Sequence, residues 1–305
     1  MTGSHYSVFG LEVESEIPLP ELHRSVKHSP SADVSIRVGE IAGHREAGFS
    51  ADAEAALLDI PHVGRYRIIG GREIVVHPDP LVSVRDLRLF LLGSAFGALL
   101  HQRGVLPLHA NAVEIAGKAV AFAGSSGAGK STLAAWFLDR GRHMISDDVC
   151  AVDLSSVGDP VVQGGLPRLR LCSDALAASG RDVRDFGKAF DGVNKYEVPA
   201  PATIRRSPTA LGAIYLLSRE ESVGAPEKIC QLFGIEALEV LVANTYRGSF
   251  VHPIGATKQH LGFCLELART IPVFKATRRW GFENFDEEAE ELERHASRIV
   301  LNGRG

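Results

Sequence analysis

The sequence predicts an α/β fold with a small β-rich unit ahead of the main core, and three observations carry that expectation. Gly124-Ser-Ser-Gly-Ala-Gly-Lys130-Ser131 fits the pattern G-x-x-x-x-G-K-[ST] at every fixed position. Its flanks suit a loop between a buried strand and a helix: Lys118 to Ala123 is a short apolar run, and Ser131 to Arg140 reads as a helix ending at Gly141. Further strand-like runs, Met144 to Val152 and Leu211 to Leu217, alternate with helical segments downstream. At ordinary glycine and lysine usage, a chance match to the loop pattern in a chain of this length arises about once in a hundred.

Residues 1–80 are expected to form the β-rich unit. Tyr6 to Val13, Val34 to Val38, Tyr66 to Ile69 and Glu73 to His77 are short β-like runs, with Gly70-Gly71 as a turn signal between the last two. Ser25 to Asp33 and Gly43 to Ala53 are polar and broken by Gly, Ser or Pro, and read as surface loops. Pro78-Asp-Pro80 closes the unit. Residues 81–305 are expected to form the second domain, opening with a helix from Val82 to Arg103 that is apolar on most faces and ended by Gly104. Leu106 to Ile115 reads as one strand, turning at Ala116-Gly117 into the strand before the loop. The acidic run Phe282 to Glu293 sets Phe285, Ala289 and Leu292 at helical spacing, the pattern of a helix with a solvated acidic face.

The loop sequence is suited to holding a nucleoside triphosphate. Glycines let backbone N–H groups wrap phosphate oxygens, Lys130 brings a point charge toward the β- and γ-phosphates, and the Ser131 hydroxyl can ligate Mg²⁺. At an effective dielectric of about 20, a cation about 4 Å from a phosphate is worth roughly 4 kcal/mol, against about 0.3–1 kcal/mol for a helix end, so Lys130 is expected to be the costliest single loss. Asp147-Asp148 lies at the end of the next strand candidate, where one carboxylate can serve a metal and the other accept a proton. Neighbouring residues of a regular strand face opposite ways, so both acids reach one site only where the chain bends; otherwise one of them caps a turn or faces solvent. His109 is a polar residue in an apolar strand pattern, which by itself fits a structural histidine better than a catalyst. A basic group beyond Lys130 is expected near the γ-phosphate. The candidates are Lys195, Arg247 and Arg278, in segments that look like loops or element ends; each also reads as a solvated surface charge.

His109, the loop, and Arg140-Gly-Arg-His-Met-Ile-Ser-Asp-Asp148 occur in the order and approximate spacing of the C-terminal catalytic domain of HPr kinase/phosphorylase, which the chain resembles over roughly residues 104–155. The resemblance implies a P-loop core of the HPr-kinase type. It implies catalysis by Asp147, His109 and Lys130, with Asp147 accepting and later donating the proton and His109 supporting it. It further implies a nucleotide site formed by Gly124, Ser125, Ser126, Gly127, Ala128, Gly129, Lys130, Ser131 and Thr132, a metal site at Ser131 and Asp148, and ATP and Mg²⁺ as cofactors. One segment departs from the family: Gly164-Gly-Leu-Pro-Arg-Leu-Arg-Leu-Cys-Ser-Asp174 stands where an E-I-R-G-L-G-type stretch belongs, which bears on both the HPr substrate and the phosphorylase reaction.

A second likeness covers most of the chain. Tyr6-Ser-Val-Phe-Gly-Leu-Glu-Val-Glu-Ser-Glu-Ile-Pro-Leu-Pro20 and Leu106-Pro-Leu-His-Ala-Asn-Ala-Val113 are similar to segments of the HPr-kinase-like serine kinases that modify lasso-peptide precursors. That likeness implies transfer of the γ-phosphoryl group of ATP to a serine of a peptide or small protein. The alternatives are a bifunctional HPr kinase/phosphorylase, a small-molecule kinase and a noncatalytic ATP-gated binding protein.

With 305 residues, 45% of them hydrophobic and 23% charged, the composition is that of a soluble globular protein, and a net charge of −4 supplies no basic field for nucleic acid. Cys150, Cys172, Cys230 and Cys264 are widely spaced, with no C-x-x-C pair, and are expected to be buried thiols in a reducing cytoplasm rather than zinc ligands. No secretory signal is expected at the N-terminus, and Leu87 to Leu100, interrupted by Arg88, falls short of a membrane span. The expected partners are therefore a serine-bearing peptide or small protein and, compatible with the sequence, a second copy of the chain, with neither nucleic acid nor membrane involved.

Overall fold

The fold comes from a computed structural model, which describes residues 3–25, 32–52, 54–154, 158–189, 194–199, 205, 207–219, 228–279 and 281–303. The chain forms two compact units, Met1–Pro107 with Tyr246–Gly262 and Leu108–Thr245 with Phe263–Gly305. It is mixed α/β, with one large sheet in each unit.

The first unit contains β1 (Ser4–Val8), β2 (Leu11–Ser15), β3 (His23–Arg24), β4 (Val34–Val38), β5 (Gly48–Ala51), β6 (Ala55–Ile60), β7 (Gly64–Ile69) and β8 (Glu73–Pro78), in spatial order β3-β1-β2-β4-β8-β7-β6-β5. β2 alternates buried and half-buried residues, as expected of a strand with one face on the core. Tyr6 to Val13, expected as one run, is a hairpin: Phe9 at φ 53° and Gly10 at φ 75° are consecutive left-handed residues, the turn whose twist suits antiparallel neighbours. Gly43 to Ala53, expected as a loop, contains β5, whose Phe49 stacks on Phe250 at 3.6 Å between centroids. Of Ser25 to Asp33, residues 26–31 lie outside the described part.

The helical stretch after β8 is interrupted. α1 (Val84–Phe90) is capped by Ser83, whose Oγ accepts from the Asp86 N–H at 3.0 Å; Leu91–Ala95 widens into a π turn; α2 (Phe96–Gln102) completes it. The sequence reading assigned this segment to the second domain, but it belongs to the first unit. The Tyr66 hydroxyl donates to Leu87 O at 2.8 Å, Gln102 Nε2 donates to Ile68 O at 3.1 Å, and Phe9 packs on Phe96. An all-round apolar helix says that it is buried, not by which sheet.

β9 (Leu106–Leu108) leads into the second unit, which carries β10 (Ala110–Ile115), β11 (Lys118–Ala123), α3 (Lys130–Asp139), β12 (Met144–Ser146), β13 (Cys150–Asp153), β14 (Val161–Val162), β15 (Arg168–Leu171), α4 (Ser173–Ala178), β16 (Tyr196–Pro199), β17 (Thr209–Arg219), β18 (Ile229–Leu232), α5 (Gly234–Ala243), β19 (Val273–Arg278) and α7 (Phe285–Asn302). α6 (Thr257–Thr270) begins in the first unit and ends in the second. β11, β17 and β19 are parallel neighbours; β10 pairs antiparallel with β11 and β12 antiparallel with β10 on one side, and β18 pairs antiparallel with β19 on the other. α3 is apolar on two faces because it is covered on both. One face joins α7 over the sheet through Phe122, Leu133, Phe137, Tyr215 and Leu292; the other sets Ala134 and Ala135 against Met144, Leu169 and Leu176. Cys150 and Cys264 are buried, whereas Cys172 and Cys230, expected to be so, are half-buried. No helix among the described residues is long and apolar enough to cross a membrane.

Candidate active site

Parallel strands gather their carboxyl ends on one edge of a sheet, and the loops leaving those ends form a crevice. Here the loop after β11, Ser218 and Arg219 at the end of β17, and Arg278 at the end of β19 line a cavity of about 310 Å³. Ser126, Gly127, Ala128, Gly129, Lys130, Ser131 and Thr132 line its floor, together with His109, Asp148, Arg170 and Lys195.

Local backbone chemistry explains the loop. Gly129, at φ 85°, enters α3 in a left-handed conformation that only glycine adopts without cost. Gly124, at φ 147°, passes so close to β17 that an added Cβ would lie 2.8 Å from Leu217 O. These turns bring two loop carbonyls onto Lys130, whose Nζ donates to Gly124 O at 2.7 Å and Ser125 O at 3.1 Å. Lys130 is 7% exposed, and this burial lowers its pKa against the opposing pull of Asp148.

Met144 to Val152, expected as one strand, breaks into β12 and β13 at the two acids. The Val149 N–H donates to Asp147 O at 2.8 Å, closing a three-residue turn with Asp148 at φ 70°, an expensive conformation for a residue other than glycine. This is the bend that a shared site requires. Leu106 to Ile115 likewise breaks at His109, whose N–H donates to Asn244 O at 2.7 Å.

The two acids have different surroundings. Asp147 is 3% exposed; its Oδ1 accepts from Ser131 Oγ at 3.3 Å and its Oδ2 from the Arg170 N–H at 2.9 Å. Burial and the neighbouring Asp148 charge push its pKa up to about 6, despite those hydrogen bonds. Asp148 faces the cavity with its side chain 33% exposed, its Oδ1 3.2 Å from His109 Nδ1 and its Oδ2 3.8 Å from Arg170 Nη1. Burial opposes ionisation there, but the His109 hydrogen bond and the Arg170 and Lys195 charges outweigh it and hold the carboxyl well below its ordinary range. Lys130 Nζ lies 3.3 Å from His109 Nε2, so this lysine donates to Nε2 while Nδ1–H faces both the Asp148 backbone O and its Oδ1, each at 3.2 Å. The family resemblance paired His109 with Asp147 and Ser131 with Asp148; the contacts are the reverse, because the turn swings Asp148 outward and leaves Asp147 behind α3.

The three candidate cations separate. Lys195 and Arg278 line the cavity. Arg278 is 11% exposed rather than solvated, paired with the buried Glu288 at 3.5 Å. Arg247 belongs to the first unit, 5.6 Å from the Tyr246 ring and 5.9 Å from that of Phe250, and is not among the lining residues. Sequence reasoning missed Arg170, which lies on β15 paired with β16. Its Nε and Nη2 are buried without a hydrogen-bond partner among the described residues, and its ion pairs with Asp148 and Glu197, at 3.8 and 3.6 Å, are long. It also missed Glu288, whose Oε1 accepts the Arg279 N–H at 3.1 Å.

As a donor set, Ser131 Oγ and the two carboxylates are hard oxygen ligands, the kind Mg²⁺ takes in small number alongside phosphate oxygens. No group of three or more His, Cys, Asp or Glu positioned to hold a metal ion occurs among the described residues.

No family model and no curated protein matches the chain. Among solved structures it is similar to the HPr(Ser) kinase/phosphatase of Coxiella burnetii, with 15% identity, 65% of this chain and 99% of that chain covered, and a TM-score of 0.35. A likeness this loose carries no function across, which leaves the site's own residues to do so.

Proposed function

We propose that the protein is an Mg²⁺-dependent ATP:serine phosphotransferase of the HPr-kinase type, acting on a serine of a peptide of the lasso-precursor kind or of a small protein. The observation that carries this reading is the convergence of Lys130, Ser131, Asp148 and His109 on one cavity, with Asp147 buried directly behind the Ser131 hydroxyl.

The loop N–H groups and Lys130 receive the triphosphate, and Lys130 exchanges its loop carbonyls for phosphate oxygens. Ser131 and Asp147 would hold Mg²⁺, which when bound neutralises charge on the β- and γ-phosphates. Asp148, ionised and facing the cavity, orients the serine hydroxyl and takes its proton, with His109 fixing the carboxylate through Nδ1–H. A strongly basic acceptor is not needed, because in a loose phosphoryl-transfer transition state the proton leaves late. Arg170, Lys195 and Arg278 surround the position of the transferring group with positive charge. The test is incubation with γ-labelled ATP and peptides bearing internal or C-terminal serine, followed by mapping of the label. Label on serine with wild type and none with the Lys130→Ala variant supports the reading; ATP hydrolysis without transfer to any peptide or protein tested counts against it.

A further inference from the structure

We propose that Phe282 is the surface on which the nucleobase of a bound nucleoside triphosphate stacks. The inference rests on the nucleotide reading above and adds where the end remote from the phosphates lies. A triphosphate seated on the loop places its base one ribose beyond the α-phosphate, and a planar heteroaromatic ring is held best by a flat apolar face.

The cavity wall runs to such a face from the loop. A methyl built on Gly129 would come 3.7 Å from Arg278 Nη1; the Arg278 guanidinium lies 4.7 Å from the centroid of Phe285; and Phe285 lies 6.1 Å from Phe282, the two rings tilted by 51°. Arg278 covers Phe285, and Leu171 is buried against the α3 cluster. Phe282, by contrast, lines the cavity with 44% of its surface exposed. Its backbone is tied to the start of α7, where the Phe285 N–H donates to Phe282 O at 3.3 Å, and Glu288 of the same helix holds both the Arg279 N–H and the Arg278 side chain. An exposed aromatic ring lining a cavity that also carries the phosphate-loop residues is a ready stacking platform, and stacking tolerates any base because every base has a π face.

The experiment is calorimetric titration of wild type, Phe282→Ala and Phe282→Tyr with Mg-ATP and, separately, with Mg-tripolyphosphate, which has no base. The expected result is a loss of about tenfold in Mg-ATP affinity for Phe282→Ala, tripolyphosphate affinity unchanged, and Phe282→Tyr close to wild type. Equal Mg-ATP affinity for wild type and Phe282→Ala, or an equal loss of tripolyphosphate affinity, overturns the stacking role while leaving the nucleotide reading in place. A wild type that binds neither ligand overturns the nucleotide reading itself.

Discussion

His109 Nδ1 lies 3.2 Å from Asp148 Oδ1, across a turn in which Asp148 has left the sheet with φ 70°. That contact divides the work between adjacent acids: one faces the cavity on a histidine, the other is buried behind the Ser131 hydroxyl. Asparagine tolerates positive φ, so Asp148→Asn removes the charge with little added strain. We expect Asp148→Asn to keep Mg-ATP affinity and lose phosphoryl transfer by about 10²–10⁴-fold. Asp147→Asn should instead weaken Mg²⁺-dependent nucleotide binding. Titration and single-turnover transfer on both variants check the division, and the reverse pattern would return the proton to Asp147.

Lys130 donates to two loop carbonyls that the loop can spare once phosphate arrives. Removing it forfeits up to roughly 4 kcal/mol of attraction to the triphosphate. Lys130→Ala should therefore bind Mg-ATP at least about a hundredfold more weakly by titration, with helical circular dichroism unchanged. Full retention of affinity would show that the loop does not hold phosphate.

Arg170 is tied to Asp147 through its backbone and to Asp148 through its side chain, so a side-chain substitution separates the two. Arg170→Ala should lower kcat by about 10–100-fold with a smaller effect on KM for ATP, and Arg170→Lys should recover part of the loss. A change confined to KM would place the guanidinium in ground-state binding instead.

In the first unit, His101 is 4% exposed and Nε2 lies 3.0 Å from Tyr246 O. Burial lowers its pKa to about 4, with that carbonyl opposing the shift. Above about pH 6.5 the imidazole is neutral in both folded and unfolded chains. As pH falls from there toward 4 the unfolded chain takes up the proton first, and stability drops by roughly 3 kcal/mol before levelling off. Urea unfolding from pH 7 to 4 should show that loss in wild type and a shallower decline in His101→Gln; identical profiles would mean that His101 is not neutral in the fold.

Much of the second unit could be read along the chain because its signals are local. A glycine pattern, an apolar run before it and an apolar helix after it sufficed for β11, the loop and α3. The need for a bend at Asp147-Asp148 followed from strand geometry alone. What could not be read depends on distant partners. Arg170 reaches the cavity only because β15 pairs with β16, more than twenty residues on, and Arg278 is buried because Glu288, inside an apparently solvated acidic run, turns inward to meet it. Which acid meets His109 depends on the direction of one three-residue turn. In the first unit, the Phe9-Gly10 hairpin carried no Asn-Gly or Asp-Gly signal, and α1 and α2 gave no sign of which sheet they cover.

The central claim is that the cavity at the start of α3 holds a magnesium nucleoside triphosphate. Isothermal titration of the full chain with ATP, with and without Mg²⁺, tests it most directly. The account predicts saturable one-to-one binding that depends on Mg²⁺ and is lost in Lys130→Ala. No heat of binding under either condition, or the same isotherm for wild type and Lys130→Ala, would contradict it.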